Sequence, residues 1–287
     1  MKKSVYLLCS ISVAAALVWT GQFSPVQSLP AIAQTVAVAL TGDRHPSPSA
    51  LGTPTTPFLA SSSHAVLFNR PKPPSRGTPG NAGRGGGSRS CLALATKSPN
   101  QVLNSLNALV PESKRGNTTE VWGYTLVEHP SFWFYIPYSP ESIKDMELTL
   151  LDERGETVQT VPVAVPSNAG VIQVQLPKGK PGVQAGQFYN WFFKVRGNCA
   201  ENTIAFVEGW ISRSADSALA TQLDQAAPES KLTMLAQNGI WYDALTAAGQ
   251  QSEAGQGKAA EATAWAALLQ QADMGALATQ PIVRLAN

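Results

Sequence analysis

The chain has 287 residues, 44% hydrophobic and 14% charged, which is enough for one or two packed domains. Its 21 basic residues include Lys2 and Lys3, and the first 33 positions hold no acid, so residues 34–287 carry 19 charges of each sign. A formally neutral chain excludes a global electrostatic case for a nucleic-acid partner.

Lys2 and Lys3 precede an apolar run at 5–18, and Ala31-Ile32-Ala33 offers the small-x-small pattern of a signal-peptidase site, so residues 1–33 are expected to be a signal peptide. An uncleaved anchor is the alternative, but the run is shorter than the roughly 20 residues a spanning helix needs. Cys9 lies too early in the run, without small residues before it, to be a lipid acceptor. No other stretch is long and apolar enough to span a bilayer, so no stable membrane span is expected after cleavage. The mature protein is expected to be exported, periplasmic or extracellular. There Cys91 and Cys199, the two cysteines left, form a disulfide candidate, with two free thiols as the alternative.

Residues 34–69 are rich in Pro, Ser, Thr and Ala and as a whole show neither helical nor strand period, the composition of a disordered linker. Residues 70–90 form a basic Gly/Pro-rich lead-in with Arg70, Lys72, Arg76, Arg84 and Arg89 and no acid. Its glycine run at 83–88 lacks the Gly-Lys-Ser/Thr ending and the flanking strand and helix of a phosphate cradle.

A β-sandwich domain is expected over 91–212. Seven strand-like runs follow at close spacing: 121–127, 132–136, 146–151, 157–165, 171–176, 188–195 and 204–212. Asp152-Glu153-Arg154-Gly155 reads as a hairpin turn, with Gly155 free to take positive φ. Pro162 cannot donate to a ladder, which places its strand at a sheet edge. The run 183–189 puts an apolar residue, a glycine turn and Tyr189 where immunoglobulin-type and fibronectin-type sandwiches place a structural tyrosine corner.

After Ser212 the period changes, and 213–287 is expected to be a C-terminal helical region with helices over 215–225, from Pro228 to an Asn238-Gly239 stop, 240–251 and 259–272. The spacing of glycine, aromatics and alanine at 239–244 resembles the second helix of a tetratricopeptide-like hairpin. The expected class is α+β: a Greek-key, immunoglobulin/fibronectin-like antiparallel β-sandwich followed by a C-terminal helical cap.

Chemistry-bearing residues are sparse. His129 stands outside the low-complexity sequence, but Glu128 beside it points to the opposite face of a strand. Glu208 interrupts an apolar strand, either exposed, paired with Lys194 or Arg213, or acting as a catalytic acid. No metal-ligand spacing and no nucleophile or dinucleotide motif appears, so no catalytic residue, metal or cofactor is assigned. The run 132–138 puts large rings on both faces of one strand. Either the C-terminal helices cover the second face, with Trp241 and Trp265 as the covering rings, or it is an exposed platform. The candidate binding residues on the platform reading are Trp133, Tyr135, Tyr138 and Trp210.

Five separated motifs carry a resemblance: Gly-Gly-Gly-Ser-Arg-x-Cys ending at Cys91, Leu-Asn-Ala-Leu-Val-Pro at 106–111, His-Pro-Ser-Phe-Trp-Phe-Tyr-Ile-Pro-Tyr at 129–138, Phe-Val-Glu-Gly-Trp-Ile at 206–211, and Asn-Gly-Ile-Trp-Tyr-Asp-Ala-Leu at 238–245. From about Arg70 to Val283 the chain resembles the cyanobacterial exported family catalogued as domain of unknown function 928. The resemblance implies export and supplies no catalytic residue. The leading expectation is a non-enzymatic interaction or structural module of the cell envelope, with an envelope protein or polysaccharide as partner and no nucleic acid. A carbohydrate-binding module using exposed Trp and Tyr, or an envelope hydrolase using Glu208, are the alternatives.

Overall fold

Alternating apolar residues build two sheets, and the chain moves between them. In order come β1 (Asn107–Ala108), β2 (Glu112–Arg115), β3 (Thr118–Thr125), β4 (Ser131–Ile136), β5 (Ile143–Leu151), β6 (Thr157–Val163), β7 (Gly170–Gln175), β8 (Phe188–Gly197) and β9 (Ile204–Arg213). The computed structural model describes residues 66–72, 91–115, 118–199, 203–254 and 259–286. The expected signal peptide, Cys9, most of the linker and the glycine-rich basic run lie outside the described residues.

One sheet has the order β1-β4-β7 and the other β2-β3-β9-β8-β5-β6. All seven expected strands are present; β1 and β2 are additional, one too short and the other too polar to show a period. Pro162 lies in β6, at the end of the larger sheet, so its missing N–H costs no central ladder bond. Gly155 takes φ +83° in the β5–β6 turn. The expected all-antiparallel pairing is corrected at one place: β3 pairs with β9 in parallel, Trp122 opposite Trp210. Five intervening strands give the chain length that a parallel pairing requires.

Between the sheets Phe134 stacks on Phe193 with centroids 4.0 Å apart, and Phe132 meets Trp191 edge-on at 5.8 Å. Every residue of β4 is buried, on both faces. Four helices follow the sandwich, α1 (Ser217–Gln225), α2 (Pro228–Gln237), α3 (Trp241–Ala254) and α4 (Ala259–Gln271); α3 packs on β3 and β4, and Trp265 of α4 meets Trp133 on the second face of β4. Asp216 caps α1 by accepting from Leu219 N–H at 2.9 Å, and Leu219 and Leu223, one turn apart, are its buried stripe. The protein is therefore α+β, with two sheets and four C-terminal helices among the described residues.

Two expectations shift, and one alternative is closed. The linker is expected to end at Asn69, yet Phe68 is only 7% exposed and packs edge-on against Trp241 at 4.8 Å. Its N–H donates to Gln271 Oε1 at 2.8 Å, and Asn69 N–H to Ala236 O at 3.0 Å. One buried ring and these bonds order the end of a segment whose average composition favours disorder. The C-terminal region is not helical throughout: Ile282 forms a parallel bridge with Val171 and returns the chain to the smaller sheet. Cys91 and Cys199 are joined, with Cα atoms 6.3 Å apart, so the free-thiol alternative falls.

Candidate functional site

Three of the four candidate binding residues are inside the molecule. Trp133, Tyr135 and Tyr138 are 2%, 5% and 1% exposed. Trp133 lies 5.2 Å from Trp265, its indole N–H donates to Thr246 Oγ1 at 3.1 Å, and Tyr135 donates its hydroxyl proton to Leu103 O at 3.2 Å. A stacking platform made of these rings is not on the surface: α3 and α4 cover Trp133, Leu103 meets Tyr135, and the segment at Leu94 pairs beside Tyr138. Of the two expected covering rings, Trp265 meets Trp133, while Trp241 is buried against Phe68 with its indole N–H donating to Leu109 O at 2.8 Å. Trp210 is half-buried on β9, and its carbonyl accepts from Tyr242 at 3.1 Å. Tyr189 is buried, and its hydroxyl accepts from the N–H of Gln184 in the preceding loop at 3.2 Å.

The acid–base residues weighed in the sequence are engaged with other groups. His129 Nε2 bonds to Lys180 O at 2.9 Å, and Glu128 faces Arg213 at 3.9 Å. Glu208 is half-buried opposite Phe192. Its two expected partners are engaged elsewhere as well, Lys194 with Glu147 at 3.6 Å and Arg213 with Leu126 O at 3.0 Å. Among the described residues no group of three His, Cys, Asp or Glu is placed to hold a metal ion.

Asp243, in the first turn of α3, escaped the sequence reading because a lone aspartate there looks like a solvated helix-start residue. It accepts from Thr125 Oγ1 and from Leu126 N–H, both at 2.7 Å, and so fastens α3 to the end of β3. Burial pushes its carboxyl up to about 6, against the opposing pull of the Leu126 amide, the Thr125 hydroxyl and the Arg213 charge. A carboxyl raised in the folded state contributes stability that is fully present below its unfolded value of about 4 and declines as pH rises through about 6. Asp243→Asn is therefore expected to remove a fall of about 3 kcal/mol between pH 4 and 6.5. Urea midpoints of both proteins across that range test this; parallel curves would refute it.

Among the described residues a groove open to a ligand runs along the edge of β7. A cavity of about 560 Å³ lies between residues 161–164 of β6 and its exit, residues 173–175 of β7, and residues 283–286. An adjoining cavity of about 390 Å³ shares Gln173, Gln175 and Gln250 with it and reaches Ser131, His129 and Asp243. The walls are half-buried aliphatics, Val161, Val283 and Leu285 among them, with side-chain amides between.

The floor is main chain. Alternate residues of a strand turn both N–H and C=O to the same edge. Leu176 N–H faces β4, donating to Pro130 O at 3.0 Å. Val171 faces the other way: its N–H donates to Pro281 O at 2.8 Å and its carbonyl accepts from Val283 N–H at 2.7 Å. Gln173 and Gln175 share the parity of Val171, so their main-chain groups point to the same outer edge. Among the described residues the bridge at Ile282 is isolated, and the ladder stops before Gln173. Sequence reasoning could not find this site, because its defining feature is a strand that is missing.

No helix among the described residues is long and apolar enough to cross a membrane, and the disulfide is compatible with an exported protein. Nothing among the curated proteins and nothing among the solved structures matches the chain. A family model described as Domain of Unknown Function (DUF928) does match, over residues 84–282. That span starts later than the resemblance at Arg70, which leaves the buried Phe68 segment outside it, and still covers more than half of the chain. The chain thus belongs to the DUF928 family.

Proposed function

We propose that the protein is an exported, non-enzymatic interaction module of the cell envelope. The observation that carries this reading is the groove beside β7, whose main-chain edge, amides and half-buried aliphatics supply recognition contacts. The disulfide supports export, because a bridge closing 108 residues persists in an oxidising compartment. The finer architecture belongs to the same proposal. The chain stays within the larger sheet from β2 to β3, β5 to β6 and β8 to β9 and changes sheet after β1, β3, β4, β6 and β7, and this repeated crossing between two layers supports an immunoglobulin-type Greek key. The Tyr189–Gln184 bond supports a tyrosine corner at the start of β8. The short Asn238-Gly239 link between α2 and α3 supports a single tetratricopeptide-like hairpin.

Expression of the full chain with a C-terminal epitope, followed by cell fractionation, tests the proposal. The expected product is a shortened chain beginning at Gln34, recovered from the envelope with Cys91 and Cys199 oxidised and crosslinked there to a partner. A full-length chain in the cytosol with free thiols would refute export.

A further inference from the structure

We infer that the groove beside β7 is a strand-acceptor site, which takes an extended, uncharged polypeptide segment with β-branched or small apolar side chains at alternate positions. The main chain selects the class of partner. Gln173 and Gln175 present N–H and C=O groups along the outer edge, spaced about 6.6–6.8 Å apart as alternate residues of a strand are. A helix has no main-chain groups left for such a row, and a sugar ring does not repeat at that spacing. An extended peptide does both.

The protein's own C-terminal segment demonstrates the mode. Residues 281–283 already add to this edge in parallel, through the two bonds to Val171. They then leave the edge, and the 560 Å³ space opens where the next two rungs would form, with Val283 and Leu285 as part of its wall. A docked segment would extend an existing β1-β4-β7 ladder. Docking would also offset the liability of an unpaired edge.

The lining sets the side chains. Val161, Val163, Val174, Val283 and Leu285 give aliphatic contacts, and Gln173, Gln175 and Gln250 give neutral hydrogen-bonding groups at the rim. The two charges lining the larger cavity, Arg284 and Glu253, are paired with each other at 3.5 Å, while the adjoining cavity carries Glu128, Lys178 and Asp243, charges of both signs. The larger cavity, where the added rungs would form, therefore favours neither an acidic nor a basic peptide. Alternation follows because one face of the added strand meets the aliphatic wall and the other meets solvent.

The inference deepens the interaction-module reading and rests on it. The test uses the purified mature protein, so it can fail while envelope location stands, and location can fail while the groove still binds. A random heptapeptide library displayed on phage is selected on the protein and depleted on Gln175→Pro. Proline is tolerated there because the lost N–H faces the outer edge and not β4. The expected result is enrichment of neutral peptides with Val, Ile, Thr or Ala at alternate positions. Their affinity should fall about tenfold or more on Gln175→Pro, as expected for lost main-chain bonds. Should Gln175→Pro fail to fold, the same loss is expected on wild-type protein when alternate amides of a selected peptide are N-methylated. In the free protein the Gln173 and Gln175 amides should exchange roughly a hundredfold faster than those of Ile172 and Val174, which pair with β4. Slow exchange at all four would overturn the inference, since the edge would already be paired. So would selection of charged or non-alternating peptides, binding insensitive to N-methylation, or no enrichment at all. Binding of peptidoglycan fragments without peptide selection would give the groove to a sugar, and dimerisation abolished by Gln175→Pro would give it to a second copy; each overturns the inference.

Discussion

Trp133→Ala is expected to lower the unfolding free energy by about 3–5 kcal/mol, the range for deleting a buried aromatic side chain. For a chain of this size that is a fall in Tm of roughly 6–20 °C. The cost has two parts. The ring is 2% exposed and packed against Trp265 at 5.2 Å, so its loss leaves a cavity between β4 and the helices. Its indole N–H also leaves Thr246 Oγ1, whose own proton is committed to Tyr242 O at 2.7 Å, without the donor it faced. Helix α3 is shaped around the ring: a Cβ added at Gly249 would sit 2.5 Å from it. Gly249→Leu should therefore destabilise from the opposite direction, by about 1–3 kcal/mol through overpacking. Urea unfolding followed by far-ultraviolet circular dichroism measures both, and acrylamide quenching should find Trp133 shielded in the intact protein. A loss under about 1 kcal/mol for Trp133→Ala, with the ring open to quencher, would return this face to the role of a binding platform.

The contrast between Trp133 and Gln173 shows what the sequence can carry. Rings on both faces of β4 announce that a second layer must exist, and the switch from a two-residue to a helical period after Ser212 says what it is made of. Pro162 at a sheet edge and Asn238-Gly239 as a helix stop are equally local statements, and the fold keeps them. Glu112–Arg115 shows no apolar alternation because it pairs only along one edge, so its strand is invisible. Phe68 ends a four-residue apolar run, 65–68, too short to show a period, and its burial depends on α2, α3 and α4, which lie far along the chain. Asp243 needs the position of β3 before its carboxyl can be recognised as buried. The groove is the extreme case. Gln173 and Gln175 read as the polar face of an ordinary strand, and only the departure of the C-terminal segment after Val283 makes their main chain available.

Reducing the Cys91–Cys199 bridge, or replacing both cysteines by serine, is expected to cost about 4–5 kcal/mol in the chain-entropy account for a loop of 108 residues. The loop contains β1 through β8, so in the unfolded chain the bridge restrains strands of both sheets at once. In the folded state it holds residues 91–95 beside the end of β4, where Ala95 N–H donates to Pro137 O at 2.9 Å and Ser139 N–H to Ala93 O at 2.8 Å. Those two bonds, which make up the Leu94–Tyr138 bridge, tie the segment independently of the sulfurs. The native sheets should therefore persist on reduction, with the loss arising mainly from a freer unfolded chain. Urea unfolding with and without reductant separates the two accounts. A lower midpoint with a larger dependence of stability on urea means that the reduced unfolded chain is more expanded, as the entropic account requires. A lower midpoint with an unchanged or smaller dependence, together with loss of near-ultraviolet signal before unfolding, would place the effect in the native packing around residues 91–95. An unchanged midpoint would show that the bridge contributes little to stability.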